Sequence, residues 1–152
     1  MHKEIAASFL PKMKQEFDAA NVKIRGDEYT RDIIDVDEAK EDDYHTEYLD
    51  KIISIKIVDD LDEAIEFINK YSSGHTESIM TENKETAYIF LKKVDSGAVF
   101  WNASTRFTDG GCFGMGCEMG ISTDKLHARG PMGLKEMTSY KYIIEGNGNI
   151  RE

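Results

Sequence analysis

A chain of 152 residues is long enough for one domain and can bury ~70% of the surface that its unfolded form exposes. With 40% apolar and 32% charged residues it reads as a globular chain, and a net charge of −10 disfavours nucleic acid and anionic membrane as non-specific partners. No apolar run approaches the roughly 18 residues needed to cross a bilayer, the N-terminus lacks the pattern of a signal peptide, and two cysteines without a wider framework point to a reducing, cytoplasmic setting.

Ile5, Phe9, Leu10, Met13 and Phe17 recur at helical spacing, so the chain opens with an amphipathic helix. Pro11 falls inside that pattern. Either the helix begins near Ser8, with Pro11 in its first turn, or a longer helix kinks there. "VKIRGD", Val22 to Asp27, predicts a short strand ending at a glycine turn. Ile33 to Asp50 is dense in acids against the single Lys40, and reads as a solvated acidic surface rather than a cation site.

"KIISIKIVD", Lys51 to Asp59, has the isoleucine content of a mostly buried strand. Asp60 caps the helix that follows, with Glu63 completing a capping box and Leu61, Ala64, Ile65 and Ile68 as its apolar face. Gly74 closes that helix beyond Tyr71. "TESIMT", Thr76 to Thr81, predicts a second strand. Thr81 then caps a helix whose Ala87, Phe90, Leu91 and Val94 face inward, and "GAVFWN", Gly97 to Asn102, predicts a third strand. Strand, helix, strand, helix, strand is the pattern of a parallel α/β sheet.

From Asn102 to Leu134 the periodicity disappears and glycine is dense, which marks a long functional loop. The tail "MTSYKYIIEGNGNIRE" is β-prone up to Glu145 and has no hairpin partner nearby, so it is expected to pair with another chain.

Both cysteines lie in the loop. The Cys112–Cys117 spacing has no second pair and does not suit structural zinc. Either thiol is a nucleophile if held as a thiolate with His127 as base, but among Phe113, Met115, Met119 and glycines packing is the favoured reading. "GMGCEMG" misses the dinucleotide fingerprint because Met119 takes the place of its third glycine. Arg106 and Arg129 present planar donors for carboxylate or phosphate; the competing reading pairs them with Asp109 or Glu118. His127 is expected to orient its loop through a backbone hydrogen bond ahead of any catalytic role. His2, His45 and His75 are too scattered for a metal cluster. Glu47, just before the first buried strand, is placed to accept from ribose hydroxyls, or is one more solvated acid.

The segments "NASTRFTDGG", "FGMGCEMGISTDKLHARGPMGL" and "TSYKYIIEGNGNIR" resemble the C-terminal signatures of the γ-glutamyl phosphate reductases, also called glutamate-5-semialdehyde dehydrogenases, of the aldehyde dehydrogenase superfamily. "TEYLDKIISIKIVDDLDEAIEFINKYSSGHTESIMTE" and "HKEIAASFLPKMK" extend the resemblance over essentially the whole chain. It implies an α/β parallel-sheet catalytic domain over residues 1–136 and a C-terminal oligomerisation strand over 137–152. It also implies a cytoplasmic, NADPH-dependent conversion of L-glutamyl 5-phosphate to L-glutamate 5-semialdehyde in proline biosynthesis. In that reaction a cysteine thiolate expels phosphate and the cofactor delivers hydride.

By the same resemblance the nucleophile, the oxyanion asparagine, the NADPH-binding domain and a strand preceding the first helix lie upstream of Met1. Neither Cys112 nor Cys117 inherits the nucleophile's role. Glu47 matches the glutamate that bonds the nicotinamide ribose. Asn102, Ser104, Thr105 and Arg106 match a segment lining the substrate pocket, with Arg106 facing the substrate's carboxylate or phosphate. Gly114, Gly116 and Glu118 match a glycine-glycine-glutamate turn, and His127 and Arg129 belong to a substrate-side loop. The expected partners are further copies of the chain or the missing N-terminal half, and the isolated chain is expected to be inactive. The alternatives are a non-enzymatic oligomerisation module or one half of a split enzyme.

Overall fold

The first helix, α1 (Lys3–Ala19), takes the longer of the two expected courses and continues through Pro11. An internal proline costs a helix ~3 kcal/mol. Full burial of Leu10, with Ala6 beside it, offsets a cost of that order. The computed structural model describes residues 1–117, 119–122 and 125–151.

β1 (Lys23–Gly26) lies at the centre of a parallel sheet, flanked by β2 (Asp37–Glu38) and β3 (Ile52–Ile55). Against it packs a core of Ala6, Leu10, Ile24, Ile34, Ile55 and Ile57. The acidic stretch supplies β2 and contributes to two short helices, α2 (Glu28–Ile33) and α3 (Glu41–His45). Its acids are exposed as expected, with Asp43 the exception. The two residues before α1 are tied to the segment after β3 without forming a strand. His2 forms a parallel bridge with Val58, and the N-terminal ammonium donates to the Lys56 carbonyl at 2.6 Å.

α4 (Leu61–Tyr71) begins at Asp60, whose Oδ1 accepts from the Glu63 amide at 2.9 Å. Glu63 reaches back to the amide of Asp59 rather than Asp60, so the capping box is displaced by one residue. β4 (Thr76–Ile79) follows, then α5 (Lys84–Lys93) and β5 (Ala98–Trp101). The α5 cap is Asn83 and not Thr81, because the Asn83 amide oxygen accepts from Thr86 while the Thr81 hydroxyl accepts from Asn83 itself. β4 and β5 pair in parallel, and Ile65, Phe90 and Val94 form the core over them. The expected strand–helix alternation is therefore present. Its strands form two parallel sheets, β2-β1-β3 and β4-β5, rather than one.

Residues 102–134 are less irregular than expected. A 3-10 turn occupies Thr105–Thr108, and β6 (Met119–Ile121) pairs antiparallel with β7 (Gly130–Met132). This hairpin docks by close backbone approach: a Cβ on Gly97 would stand 2.8 Å from the Gly130 nitrogen. No strand forms among the described residues 138–151, and Tyr140, Tyr142, Ile143 and Ile144 are exposed. Among the described residues no helix is long and apolar enough to cross a membrane.

Candidate functional site

An open cleft of about 540 Å³ is lined by Glu47, Ser73, His75, Thr76, Thr105, Thr108, Gly120 and Ser122. Four separate segments meet there: the loop before β3, the α4–β4 connection, the 3-10 turn and β6. The turn folds back over β4, held by the Ser78 hydroxyl donating to the Ala103 carbonyl at 2.7 Å. Among the described residues the cleft has one carboxylate, one imidazole and five hydroxyls, and no lysine or arginine lines it. Its volume lies within the ~300–1,000 Å³ of small-molecule sites. The polar lining suits a ligand rich in hydroxyls and amides.

Glu47 is exposed, but the segment that carries it is firmly anchored. Asp43, buried at the end of α3's first turn, accepts from the Lys40 amide at 2.7 Å and the Tyr48 hydroxyl at 2.7 Å, and pairs with the Arg25 guanidinium from β1. The Arg25 guanidinium also lies 5.3 Å from the centre of the Tyr48 ring. These donors favour the ionised acid, led by the Lys40 amide and the Tyr48 hydroxyl, and bring the Asp43 carboxyl down to about 2. Burial, and then the bond to Asp43, push the Tyr48 phenol up. Glu47 thus sits next to a side chain fixed on the sheet, and the loop that presents it is closed by the Asp43–Tyr48 bond.

The other expected site residues divide. Thr105 lines the cleft with Glu47. Asn102 stands at φ 52°, and both ends of its amide are committed to Thr81: Oδ1 accepts from the Thr81 amide at 2.8 Å and Nδ2 donates to its carbonyl at 2.9 Å. Ser104 caps the 3-10 turn by accepting from the Arg106 amide at 3.3 Å. The Arg106 side chain is exposed and forms no ion pair among the described residues. The His127 ring donates to the Ala128 carbonyl at 2.8 Å, the backbone-orienting bond expected of it. Arg129 pairs with Asp95 and not with Asp109. Its guanidinium donates to Asp95 Oδ1 at 2.8 Å and to the Asp95 carbonyl at 3.3 Å, and Lys125 binds the same carboxylate. The Lys125 bond, then that of Arg129, hold the Asp95 carboxyl below its usual range. Glu118 lies outside the described residues.

The two cysteines correct the packing expectation, because both thiols are exposed. The loop around them is closed by backbone bonds, such as Met115 amide to Gly110 carbonyl at 2.9 Å, and not by side-chain burial. Gly114 and Gly116, both at φ 75°, have nothing near the position of a Cβ. Neither cysteine lines the cleft.

Sequence reasoning missed Ser73, His75, Thr76, Thr108, Gly120 and Ser122 as cleft residues. A weak signal existed for His75, which directly follows the positive-φ Gly74 at a helix-to-strand connection. The hydroxyl residues carry no signal until the 3-10 turn and β6 are folded onto β4.

The γ-glutamyl phosphate reductase of Caldanaerobacter subterraneus subsp. tengcongensis is 61% identical over 153 residues, covering 100% of this chain and 37% of that protein. That of Nautilia profundicola is 60% identical over 143 residues, covering 94% of this chain and 35% of the relative. The crystal structure of γ-glutamyl phosphate reductase from Thermotoga maritima superposes with a TM-score of 0.89 at 55% identity, over 99% of this chain and 37% of that one. The chain therefore spans a little over a third of the length of these relatives. A family model described as the aldehyde dehydrogenase family matches residues 33–143, which hold Glu47, Thr105 and the rest of the cleft. By that match and by its fold, the chain belongs to the aldehyde dehydrogenase family.

Proposed function

We propose that these residues form the C-terminal part of the catalytic region of a cytoplasmic, NADPH-dependent reductase that converts L-glutamyl 5-phosphate to L-glutamate 5-semialdehyde in proline biosynthesis. The observation that carries this reading is the convergence of Glu47 and Thr105, which are distant in sequence, on one polar cleft, within a chain 61% identical over its whole length to a γ-glutamyl phosphate reductase. The cleft fits the nicotinamide end of the cofactor. The Glu47 carboxylate is an acceptor for two ribose hydroxyls, and the Ser73, Thr105 and Ser122 hydroxyls are donors for its remaining polar atoms. The cofactor supplies hydride, and this chain's residues bind and orient. Asp43 and Tyr48 fix the height of Glu47, and Asn102 fixes the exit of β5 so that Thr105 faces the cleft. Arg106, exposed beside the turn, is available to the substrate's carboxylate or phosphate.

Since neither cysteine lines the cleft, the reading requires a nucleophile from sequence outside these 152 residues, and the isolated chain is inactive. Residues 137–152 serve as an oligomerisation strand. The apolar, exposed Tyr142, Ile143 and Ile144 favour a partner supplied by another copy or by the rest of the protein. NADP-linked, phosphate-dependent oxidation of the semialdehyde is the deciding assay. The chain joined to a relative's upstream region is expected to turn over, with activity falling about 10- to 100-fold in Glu47→Gln through weaker cofactor binding. Turnover by the isolated chain would overturn the reading.

A further inference from the structure

The His75 ring is held on two sides. Its Nδ1 is 2.6 Å from the Thr76 hydroxyl, and its other edge lies against Gly120 of β6, where any Cβ would collide with Nε2. Nε2 has no hydrogen-bond partner among the described residues, although the ring is half-buried on the wall of the cleft. Of the five cleft hydroxyls, Thr76 is engaged with this ring and Thr108 donates to the Thr105 carbonyl at 2.7 Å. The other histidines do other things: His2 caps α1, the His45 ring packs tilted against Tyr71 with centroids 4.6 Å apart, and His127 bonds Ala128. His75 is therefore the cleft's one imidazole, pre-positioned so that little side-chain freedom is lost when a ligand meets it.

The charge pattern selects the ligand class. A bare phosphate entering a cleft whose described wall holds one carboxylate and no lysine or arginine would meet uncompensated repulsion. A nicotinamide riboside offers hydroxyls to Glu47 and a carboxamide, both donor and acceptor, to an imidazole nitrogen. Either tautomer of His75 finds a partner there.

We infer that His75 is a ligand-contacting residue, hydrogen-bonding through Nε2 to the nicotinamide riboside moiety whose ribose Glu47 accepts. This rests on the reading of Glu47 given above. Thr76 holds the orientation of the ring and Gly120 provides the space for it, so both act as positioning residues.

The test is a titration of the 152-residue chain, isotope-labelled at histidine and along the backbone, with nicotinamide riboside and separately with inorganic phosphate at constant ionic strength. With the riboside, the His75 ring resonances and the Glu47 amide are expected to move together and saturably. Phosphate is expected to leave His75 unmoved. His75→Phe keeps the ring volume and removes the bond, and should weaken riboside binding roughly three- to tenfold while the Glu47 amide still responds. Gly120→Ala, on exposed β6, should displace the ring and weaken binding similarly, so the outcome does not hang on one variant's folding. If the Glu47 amide moves and the His75 ring does not, the inference fails and the Glu47 reading stands. If phosphate alone moves His75, the assigned ligand class is wrong. If neither residue responds to the riboside, both readings fall.

Discussion

Residues 1–101 and 102–151 are held together by different physics. The first region buries its apolar faces in two clusters, around Leu10 and around Phe90, and its helices are capped by Asp27, Asp60 and Asn83. Among its described residues the second has little core of its own. It is fastened to the first by a few polar clamps, Asn102 on Thr81 and Arg129 with Lys125 on Asp95, and by the backbone contact of Gly97 with Gly130. Area burial is cooperative and spreads its stabilisation over many residues, whereas clamps act locally. The cleft lies where the two regimes meet, with Glu47, His75 and Thr76 from the first region and Thr105, Thr108 and Gly120 from the second.

If the contrast is right, core and clamp substitutions should separate cleanly. Leu10→Ala removes a fully buried side chain from the first cluster and is expected to cost about 2–5 kcal/mol in urea unfolding, with every probe in residues 1–101 lost in one transition. A loss confined to α1 would break the picture of one cooperative region. Gly97→Ala sets a methyl group against the Gly130 backbone and is expected to cost about 1–3 kcal/mol. Hydrogen exchange should show that loss in β6 and β7 while the amides of β1 and β3 stay protected. Uniform loss of protection would merge the two regions.

The smallest expected effect lies inside the first region, and pH reveals it. Asp43 titrates at about 2 in the folded chain against an ordinary 3.8, so its contribution is fully present above that ordinary value and is lost as pH falls towards 2. Asp43→Asn should lower the urea midpoint at neutral pH and flatten the acid limb of the stability curve between those two values. A variant that keeps the wild-type acid limb would remove Asp43 as the anchor of the Glu47 segment.

Local signals accounted for most of the first region. Apolar spacing located α1, α4 and α5, and isoleucine and valine content located β1, β3 and β5, because such elements bury one face whatever their neighbours are. Caps were legible to within a residue or two: Asp60 was found, but its box partner reached Asp59, and Asn83 replaced Thr81. Buried ionic pairing was not legible, since Asp43 is one of many acids in its stretch until Arg25 and Tyr48 fold against it. The cysteines misled because small apolar neighbours look alike whether a loop is packed or merely turned.

By itself the sequence determined the α/β alternation, the anchored helices and, through long specific motifs, the resemblance to the γ-glutamyl phosphate reductases. Those features rest on short-range periodicity and residue identity, which a linear chain carries intact. Only the tertiary structure decided that Glu47 and Thr105 share a cleft, that Arg129 pairs with Asp95, and that His75 is lodged against Gly120. Those are long-range contacts between polar groups, whose partners depend on which backbones come within about 3 Å of each other, and no local pattern encodes that distance.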